Sequence, residues 1–327
     1  MTRAIRIHAQ GGPEVLRFEA VDVGAPGPGE VRIRHTAIGL NFIDVYHRSG
    51  LYPPPQPLPF VPGSEGVGVV EALGEGVAEF KVGDRVGYAG PTGAYSEVRL
   101  VPAERLVPIP DGIDDAVAAS VLLKGLTARY LLRQTYVVTP QTVLLFHAAA
   151  GGVGSIACQW AAALGATVIG TAGSAEKVER ALSLGCDQVI NYREEDFVQR
   201  VAAITEGAKC DVVYDSVGKD TFIGSLDCLK PRGMLVSFGN SSGAVPPFEM
   251  NLLQRKGSLY ATRPTLGHYV AKRSELLEAA SDLFGMILAG KVRIDAPERF
   301  PLADAAAAQT ALESRHTQGS VVLIPKH

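Results

Sequence analysis

The chain has 327 residues, 46% hydrophobic and 20% charged, with 36 Gly that fall into no triplet repeat. This excludes disordered and fibrous architectures and predicts two domains, each with its own core. Its 31 basic and 34 acidic residues leave a net charge of -3, and neither the part up to Gly125 (11 bases, 15 acids) nor the part from Leu126 (20 and 19) carries the excess of base that phosphate-backbone binding needs, so nucleic acid is not expected as a main partner.

Met1-Thr2-Arg3-Ala4-Ile5-Arg6 leads straight into alternating sequence with no apolar signal core, and no later apolar stretch approaches the ~20 residues of a membrane span. A cytoplasmic protein without membrane contact is expected. Up to about Asp114 the chain consists of short β-like runs punctuated by Gly and Pro: Ala4 to His8, Glu30 to Ile38, Gly66 to Leu73, Arg85 to Tyr88 and Ala94 to Leu100. This texture predicts a compact antiparallel barrel or sandwich. From Asp115 to Tyr136 the pattern turns helical, and an alternation follows. Strands are expected at Thr142 to Ala148, Thr167 to Ala172, Gln188 to Asn191, Asp211 to Asp215, Met234 to Gly239 and Leu259 to Thr262, with helices at Gly152 to Leu164, Ala175 to Leu184, Phe197 to Thr205 and up to Leu229 between them. Near-continuous apolar runs such as Val143-Leu144-Leu145-Phe146 fit parallel strands covered on both faces, so this part reads as a doubly wound α/β unit with six strands. Helices over Lys272 to Ala289 and Asp304 to Leu312 and a strand over Ser320 to Ile324 complete the chain. Cys158, Cys186, Cys210 and Cys228 form no C-x-x-C pair and are expected as buried thiols.

The strongest local signal is His147-Ala148-Ala149-Ala150-Gly151-Gly152-Val153-Gly154, where a strand ends and a helix begins. Gly151 and Gly154 hold two places of the G-x-G-x-x-G dinucleotide fingerprint, and Ala149 stands in the first. Ala150, Gly151, Gly152 and Val153 are therefore expected against a pyrophosphate. No Lys-Ser/Thr follows the glycines, which disfavours phosphoryl transfer. At the tip of the second strand, where an NAD site carries Asp or Glu, this chain has Gly173-Ser174, with Lys177 three residues on and Tyr192 and Arg193 after the third strand. Nothing there repels a 2′-phosphate, and Lys177 and Ser174 supply a cation and a donor for it, so NADPH is the expected cofactor. Ser174 also reads as a helix N-cap, which is compatible, and Tyr192 reads as an adenine or phosphate contact or as a rim aromatic. Ser216 and Val217 after the fourth strand, and Phe238, Gly239, Asn240 and Ser241 after the fifth, occupy the carboxyl edge where open α/β sheets bind ligands.

This arrangement resembles the medium-chain dehydrogenase/reductase superfamily. Gly11-Gly12-Pro13-Glu14-Val15-Leu16, Gly39-Leu40-Asn41-Phe42-Ile43-Asp44, Arg48-Ser49-Gly50-Leu51-Tyr52, Phe146 to Gly154 and Val236 to Gly243 look like the bacterial NADPH:quinone oxidoreductases of the zeta-crystallin group. The resemblance runs from Ile5 to Pro325. It implies a GroES-like, β-rich catalytic domain over 1–124 and 265–327, a Rossmann NADPH-binding domain over 125–264, a cleft joining them, and a homodimer. Zinc-dependent relatives place a cysteine where Asn41 stands, G-H-E where this chain has Gly63-Ser64-Glu65, and a four-cysteine lobe near Pro91-Thr92-Gly93. Catalytic zinc needs three protein ligands, so no metal is expected.

Without a Lewis acid the hydride acceptor must already be electrophilic, as a quinone or another activated carbonyl is, and the protein mainly has to align two rings. One-electron and hydride transfer stay open. The resemblance puts Asn41, Asp44 and Tyr46 around the nicotinamide end, with Lys124 and Thr127 on the helix entering the cofactor domain. Asn41 offers amide donors for a carbonyl or ribose, or steadies a turn. Asp44 fixes ribose hydroxyls or caps the following turn. Tyr46 and Tyr52 stack on substrate or pack in the core, Lys124 binds ligand or snorkels, and Thr127 bonds a cofactor oxygen or its own helix. Arg263 meets a phosphate, closes over substrate, or forms a surface ion pair. Arg315 and Gln318 touch the cofactor by resemblance alone. The expected catalytic set is Asn41, Tyr46, Tyr52 and Arg263, and His147 reads as structural. Two other readings remain: an NADPH-dependent alkenal or enone double-bond reductase, and an NADPH-linked single-stranded RNA-binding or structural protein, against which the near-neutral charge argues.

Overall fold

The computed structural model describes all residues except Met1, Pro55, Pro91, Arg315, His316, Gln318 and His327. The chain divides into two units, one of Met1–Lys124, Lys272–Phe284 and Ile294–His327, the other of Gly125–Ala271 and Gly285–Arg293.

In the first unit, β1 (Thr2–Ile7) and β2 (Leu16–Val21) form an antiparallel hairpin with Ile5 opposite Phe18. β3 (Glu30–Leu40) alternates half-buried and buried residues as far as Ala37, as a strand with one covered face does, and is buried throughout from Ala37 to Leu40. After it come α1 (Phe42–Ser49), β4 (Glu65–Leu73), β5 (Arg85–Ala89), β6 (Val98–Pro102) and β7 (Val107–Pro108). β2 is not apparent in the sequence because its faces differ little in burial, with half-buried positions on both.

Helix α2 (Asp115–Tyr130) leads out of the first unit, and Leu131–Thr135 continue it as a π turn, so regular α-helix stops short of the expected Tyr136. The second unit is β8 (Val143–Phe146), α3 (Gly152–Ala163), β9 (Thr167–Ala172), α4 (Ala175–Ser183), β10 (Gln188–Asn191), α5 (Phe197–Ile204), β11 (Cys210–Asp215), α6 (Phe222–Asp227), β12 (Leu229–Ser237), α7 (Asn251–Arg255) and β13 (Tyr260–Thr262). The sheet order is β10-β9-β8-β11-β12-β13 with every pairing parallel. The order reverses between β8 and β11, where a doubly wound sheet opens its ligand crevice at the carboxyl ends. Leu145, Ile169, Ile190, Val213 and Leu235 form its core. β8 ends at Phe146, before the expected Ala148, because Ala148 takes a φ of 55°. β12 begins at Leu229 instead of Met234, carried through a register shift that accommodates Arg232 at φ 63°.

Helices α8 (Leu266–Tyr269) and α9 (Arg273–Leu288) follow, then β14 (Glu298–Pro301), α10 (Ala305–Glu313) and β15 (Val321–Ile324). The C-terminal strands complete the first unit's sheet, whose path among the described residues is β14-β15-β3-β4-β5-β7 with β6 branching from β3. All its pairings are antiparallel except β14 with β15. Ile33, Ile38, Val70, Tyr88 and Leu323 lie in its core. The four cysteines are free and buried, as expected. No helix of the described residues is long and apolar enough to cross a membrane.

Candidate active site

In the second unit the expected cofactor residues gather on loops at the carboxyl ends of the strands. The N-cap of α3 is Gly151, which has no side chain to cap the first-turn N–H groups, so those donors are available to an anion. Gly154 allows the helix to close on the strand end: a Cβ there would stand 2.4 Å from the Ala148 carbonyl oxygen and 2.7 Å from that of Ala149. At the β9 tip, a Cβ on Gly173 would stand 2.3 Å from the Tyr192 hydroxyl, so the ring of Tyr192, itself exposed, packs on a bare backbone. Ser174 caps α4, its Oγ accepting from the Lys177 N–H at 3.3 Å. Capping leaves the Lys177 ammonium free of any hydrogen bond or ion pair among the described residues.

Asp215 ends β11 and is buried. Its Oδ1 accepts from the Val217 N–H (2.8 Å) and the Gly218 N–H (3.0 Å), and its Oδ2 from Thr221 Oγ1 (2.7 Å) and Ser225 Oγ (2.8 Å). This fixes the Ser216-Val217 turn. The Ser241 N–H donates to the Ser216 carbonyl at 3.2 Å, joining that turn to the Phe238–Ser241 loop, and Arg263 Nη1 donates to the Gly239 carbonyl at 3.0 Å and to Ser237 Oγ at 3.3 Å. Arg263 is thus bound to the loop after β12 while remaining exposed. Thr127 is half-buried on α2. His147 is buried between Thr171 and Ser225, and burial holds its imidazole below its ordinary basicity against the pull of Asp215.

The first unit brings Asn41, Asp44 and Lys124 into one buried cluster around Glu65. Glu65 Oε1 accepts from Asn41 Nδ2 at 2.7 Å and from Lys124 Nζ at 3.1 Å, and its Oε2 from the Leu123 N–H at 2.6 Å. Lys124 Nζ also donates to the Leu40 carbonyl at 3.4 Å. Lys124 therefore does not snorkel; its ammonium is paired inside. Asp44 is fully buried and caps α1: its Oδ2 accepts from the Asn41 N–H (3.0 Å) and the Tyr95 hydroxyl (3.1 Å), and its Oδ1 from Ser64 Oγ (2.8 Å). Burial pushes the Asp44 carboxyl up to about 7, against these three donors. Tyr46 and Tyr52 form a separate aromatic group, with ring centroids 5.1 Å apart, and Phe42 lies 6.2 Å from Tyr46. Arg315 and Gln318 lie outside the described residues.

Glu65, Ser64, Tyr95 and Asp215 were not apparent as site residues from the sequence. For Glu65 the available signal was a carboxylate opening the otherwise apolar run Gly66-Val67-Gly68-Val69-Val70.

A family model described as zinc-binding dehydrogenase matches residues 152–282, and one described as alcohol dehydrogenase GroES-like domain matches residues 27–111. The chain is 56% identical to the quinone oxidoreductase of Pseudomonas aeruginosa, over 99% of this chain and 100% of that one. It is 49% identical to the 2-haloacrylate reductase of a Burkholderia species, over 100% of both. The crystal structure of Escherichia coli quinone oxidoreductase complexed with NADPH superposes with a TM-score of 0.96 at 52% identity, covering 99% of this chain and 100% of that one. Zinc, which the first model's description implies, does not fit the residues here. Glu65 is surrounded by an ammonium, an amide nitrogen and a backbone N–H, and among the described residues no group of three or more His, Cys, Asp or Glu is placed to hold a metal ion.

Proposed function

Since the chain belongs to the zeta-crystallin-like quinone oxidoreductases of the medium-chain dehydrogenase/reductase superfamily, we propose that it is an NADPH-dependent quinone reductase that works without a metal. The corner formed by Gly173, Ser174, Lys177 and Tyr192 carries this reading: no carboxylate stands at the β9 tip, and the Lys177 ammonium has no partner among the described residues. The fit to NADPH rests on this donor set together with the uncapped N-terminus of α3 and the bare backbone at Gly154.

Bound NADPH supplies reducing equivalents at nicotinamide C4. The chain's own residues bind and orient. Ala150, Gly152 and Val153 offer N–H donors to the pyrophosphate while the Gly151 N–H closes the loop on the Ala148 carbonyl at 2.8 Å, Ser174 and Lys177 hold the 2′-phosphate, Tyr192 covers the adenosine end, and the Ser216-Val217 and Phe238–Ser241 loops, the latter braced by Arg263, line the remaining length. Asn41, Tyr46 and Lys124 act at the nicotinamide end, and Tyr46 and Tyr52 present ring faces to a planar acceptor. Asp44, whose oxygens are all engaged, fixes Asn41 and does not reach outward. Alignment of this kind is worth up to ~7–11 kcal/mol of barrier, which suits an acceptor that is electrophilic unaided. The unit of Met1–Lys124, Lys272–Phe284 and Ile294–His327 serves as the catalytic domain and that of Gly125–Ala271 and Gly285–Arg293, which takes in more of the C-terminal part than the expected 125–264, as the cofactor domain of a cytoplasmic homodimer.

A second reading, reduction of an activated C=C, is favoured by the full-length likeness to 2-haloacrylate reductase. NADPH and NADH oxidation, measured with a series of quinones and with 2-chloroacrylate side by side, separates the two, and Tyr46→Phe and Tyr52→Phe probe the acceptor side. Quinone turnover with NADPH preferred is expected. Failure of NADPH to quench the protein's fluorescence overturns both readings, and sedimentation of the same preparation decides the dimer.

A further inference from the structure

We propose that His147 is a positioning residue for cofactor binding: held as the tautomer protonated at Nε2, it joins the glycine loop to the turn after β11 through one directional chain of hydrogen bonds. The inference rests on the NADPH reading of those two loops.

The direction follows from the ends of the chain. Ser225 has a single hydroxyl hydrogen and gives it to Asp215 Oδ2 at 2.8 Å. Toward His147 Nε2, 3.0 Å away, Ser225 Oγ is therefore an acceptor, and Nε2 carries the hydrogen. A neutral ring then has a lone pair at Nδ1, and Thr171 Oγ1 donates to it at 3.1 Å. With its hydrogen committed, the Thr171 oxygen accepts from the Ala148 N–H at 3.3 Å. Ala148 is the glycine-loop residue at φ 55°, a conformation that L residues rarely adopt, and its carbonyl oxygen is the atom against which Gly154 packs. At the other end, Asp215 Oδ1 accepts from the Val217 and Gly218 N–H groups. A single order thus runs from the Ala148 N–H through Thr171, His147 and Ser225 to Asp215 and the Ser216–Gly218 turn. The half-buried Phe197 ring meets the imidazole edge-on with centroids 5.0 Å apart, and the imidazole itself is shielded from water. His147 touches neither loop's ligand face; it acts by holding Ala148 and, through Asp215, Val217.

Two measurements on the full chain test this. Long-range 1H–15N correlation spectra of histidine-labelled protein at neutral pH without cofactor, with His147 assigned by its absence in His147→Gln, are expected to show the Nε2–H tautomer. Ser225→Ala is expected to switch the ring to Nδ1–H, because Thr171 Oγ1 becomes its one remaining acceptor. In fluorescence titrations, Ser225→Ala and Thr171→Val raise the NADPH Kd roughly tenfold, the worth of one hydrogen bond, and Thr171→Ser, which keeps the hydroxyl, returns it toward the wild-type value. An Nδ1–H or doubly protonated ring in the wild type overturns the proposal, as does a Ser225→Ala protein with unaltered tautomer and affinity. Should Ser225→Ala not fold, the wild-type tautomer and the Thr171 pair decide. A wild type that does not bind NADPH refutes the proposed function while the tautomer spectrum still tests the chain.

Discussion

Asp44 gives the most quantitative prediction. Burial pushes its carboxyl from 3.8 up to about 7, although Ser64, the Asn41 N–H and Tyr95 all donate to it. Below pH 3.8 the folded and unfolded chains both carry the proton. Between 3.8 and about 7 the unfolded chain has released it while the folded chain keeps it, so stability falls as pH rises through this window; above about 7 both are ionised and the dependence ends. At about 1.36 kcal/mol per pH unit the window is worth about 4 kcal/mol. The perturbation is Asp44→Asn, which does not titrate. Its own packing and hydrogen-bond losses are independent of pH and cancel when the two proteins are compared across pH. Urea unfolding of both at several values from about pH 4 to about pH 8 is expected to show the wild type losing about 4 kcal/mol relative to the variant, all of it below about pH 7. The wild-type Asp44 carboxyl 13C resonance is expected to titrate in the same range. A difference in stability that stays constant with pH, or a resonance that titrates below about pH 5, refutes the reasoning.

Three further outcomes are expected. Lys177→Ala should weaken NADPH roughly tenfold or more in a fluorescence titration, the scale of one charged hydrogen bond, and leave NADH unchanged; equal losses for both would remove Lys177 from the 2′-phosphate. Gly154→Ala forces a Cβ to within 2.4 Å of the Ala148 carbonyl oxygen, so a loss of about 1–3 kcal/mol in thermal stability, with a smaller stabilising effect of added NADPH, is expected. A melting curve and NADPH response like the wild type would show that the loop gives way cheaply. Lys124→Leu strands the Glu65 carboxylate without its cation, and chemical denaturation should show a loss of about 3–5 kcal/mol that Lys124→Leu/Glu65→Leu partly recovers.

Much of the second unit was legible because its strands are apolar runs cut off by polar or glycine residues. β9 and β10 fall at the bounds expected from Thr167 to Ala172 and Gln188 to Asn191. The start of β12 was not legible, since Lys230-Pro231-Arg232-Gly233 reads as a turn, and the strand reaches back across it only because Leu229, on its far side, pairs with Cys210 of β11 as Met234 pairs with Val212. The π turn after Tyr130 was hidden for a different reason: Leu131 and Leu132 continue the helical apolar pattern whichever ladder the backbone adopts. At the site, the glycine loop is written in local sequence because its work is done by backbone and by missing side chains. The roles of Glu65, Asp44 and Asp215 are set by partners far along the chain. Lys124 is 59 residues from Glu65 and Tyr95 is 51 from Asp44, and no spacing rule announces such pairs.

Donor and acceptor chemistry also fixes which way the first unit's polar groups point. Glu65 accepts only, so Asn41 must turn Nδ2 toward it, which leaves its side-chain oxygen to the Asp44 N–H in the capping box of α1. Arg48 donates only, so Gln309 turns Oε1 toward Arg48 Nε at 2.7 Å and Nε2 toward the Tyr95 hydroxyl at 3.4 Å. Tyr95 then accepts from Gln309 and has its own hydrogen left for Asp44 Oδ2, which also receives the Asn41 N–H. Two fixed donors at Oδ2 leave no place there for a proton. When Asp44 is neutral, the proton sits on Oδ1, facing a Ser64 hydroxyl that can turn from donor to acceptor without moving its oxygen. The titration of Asp44 therefore reverses one hydroxyl and leaves the Asn41 amide and its contact with Glu65 in place.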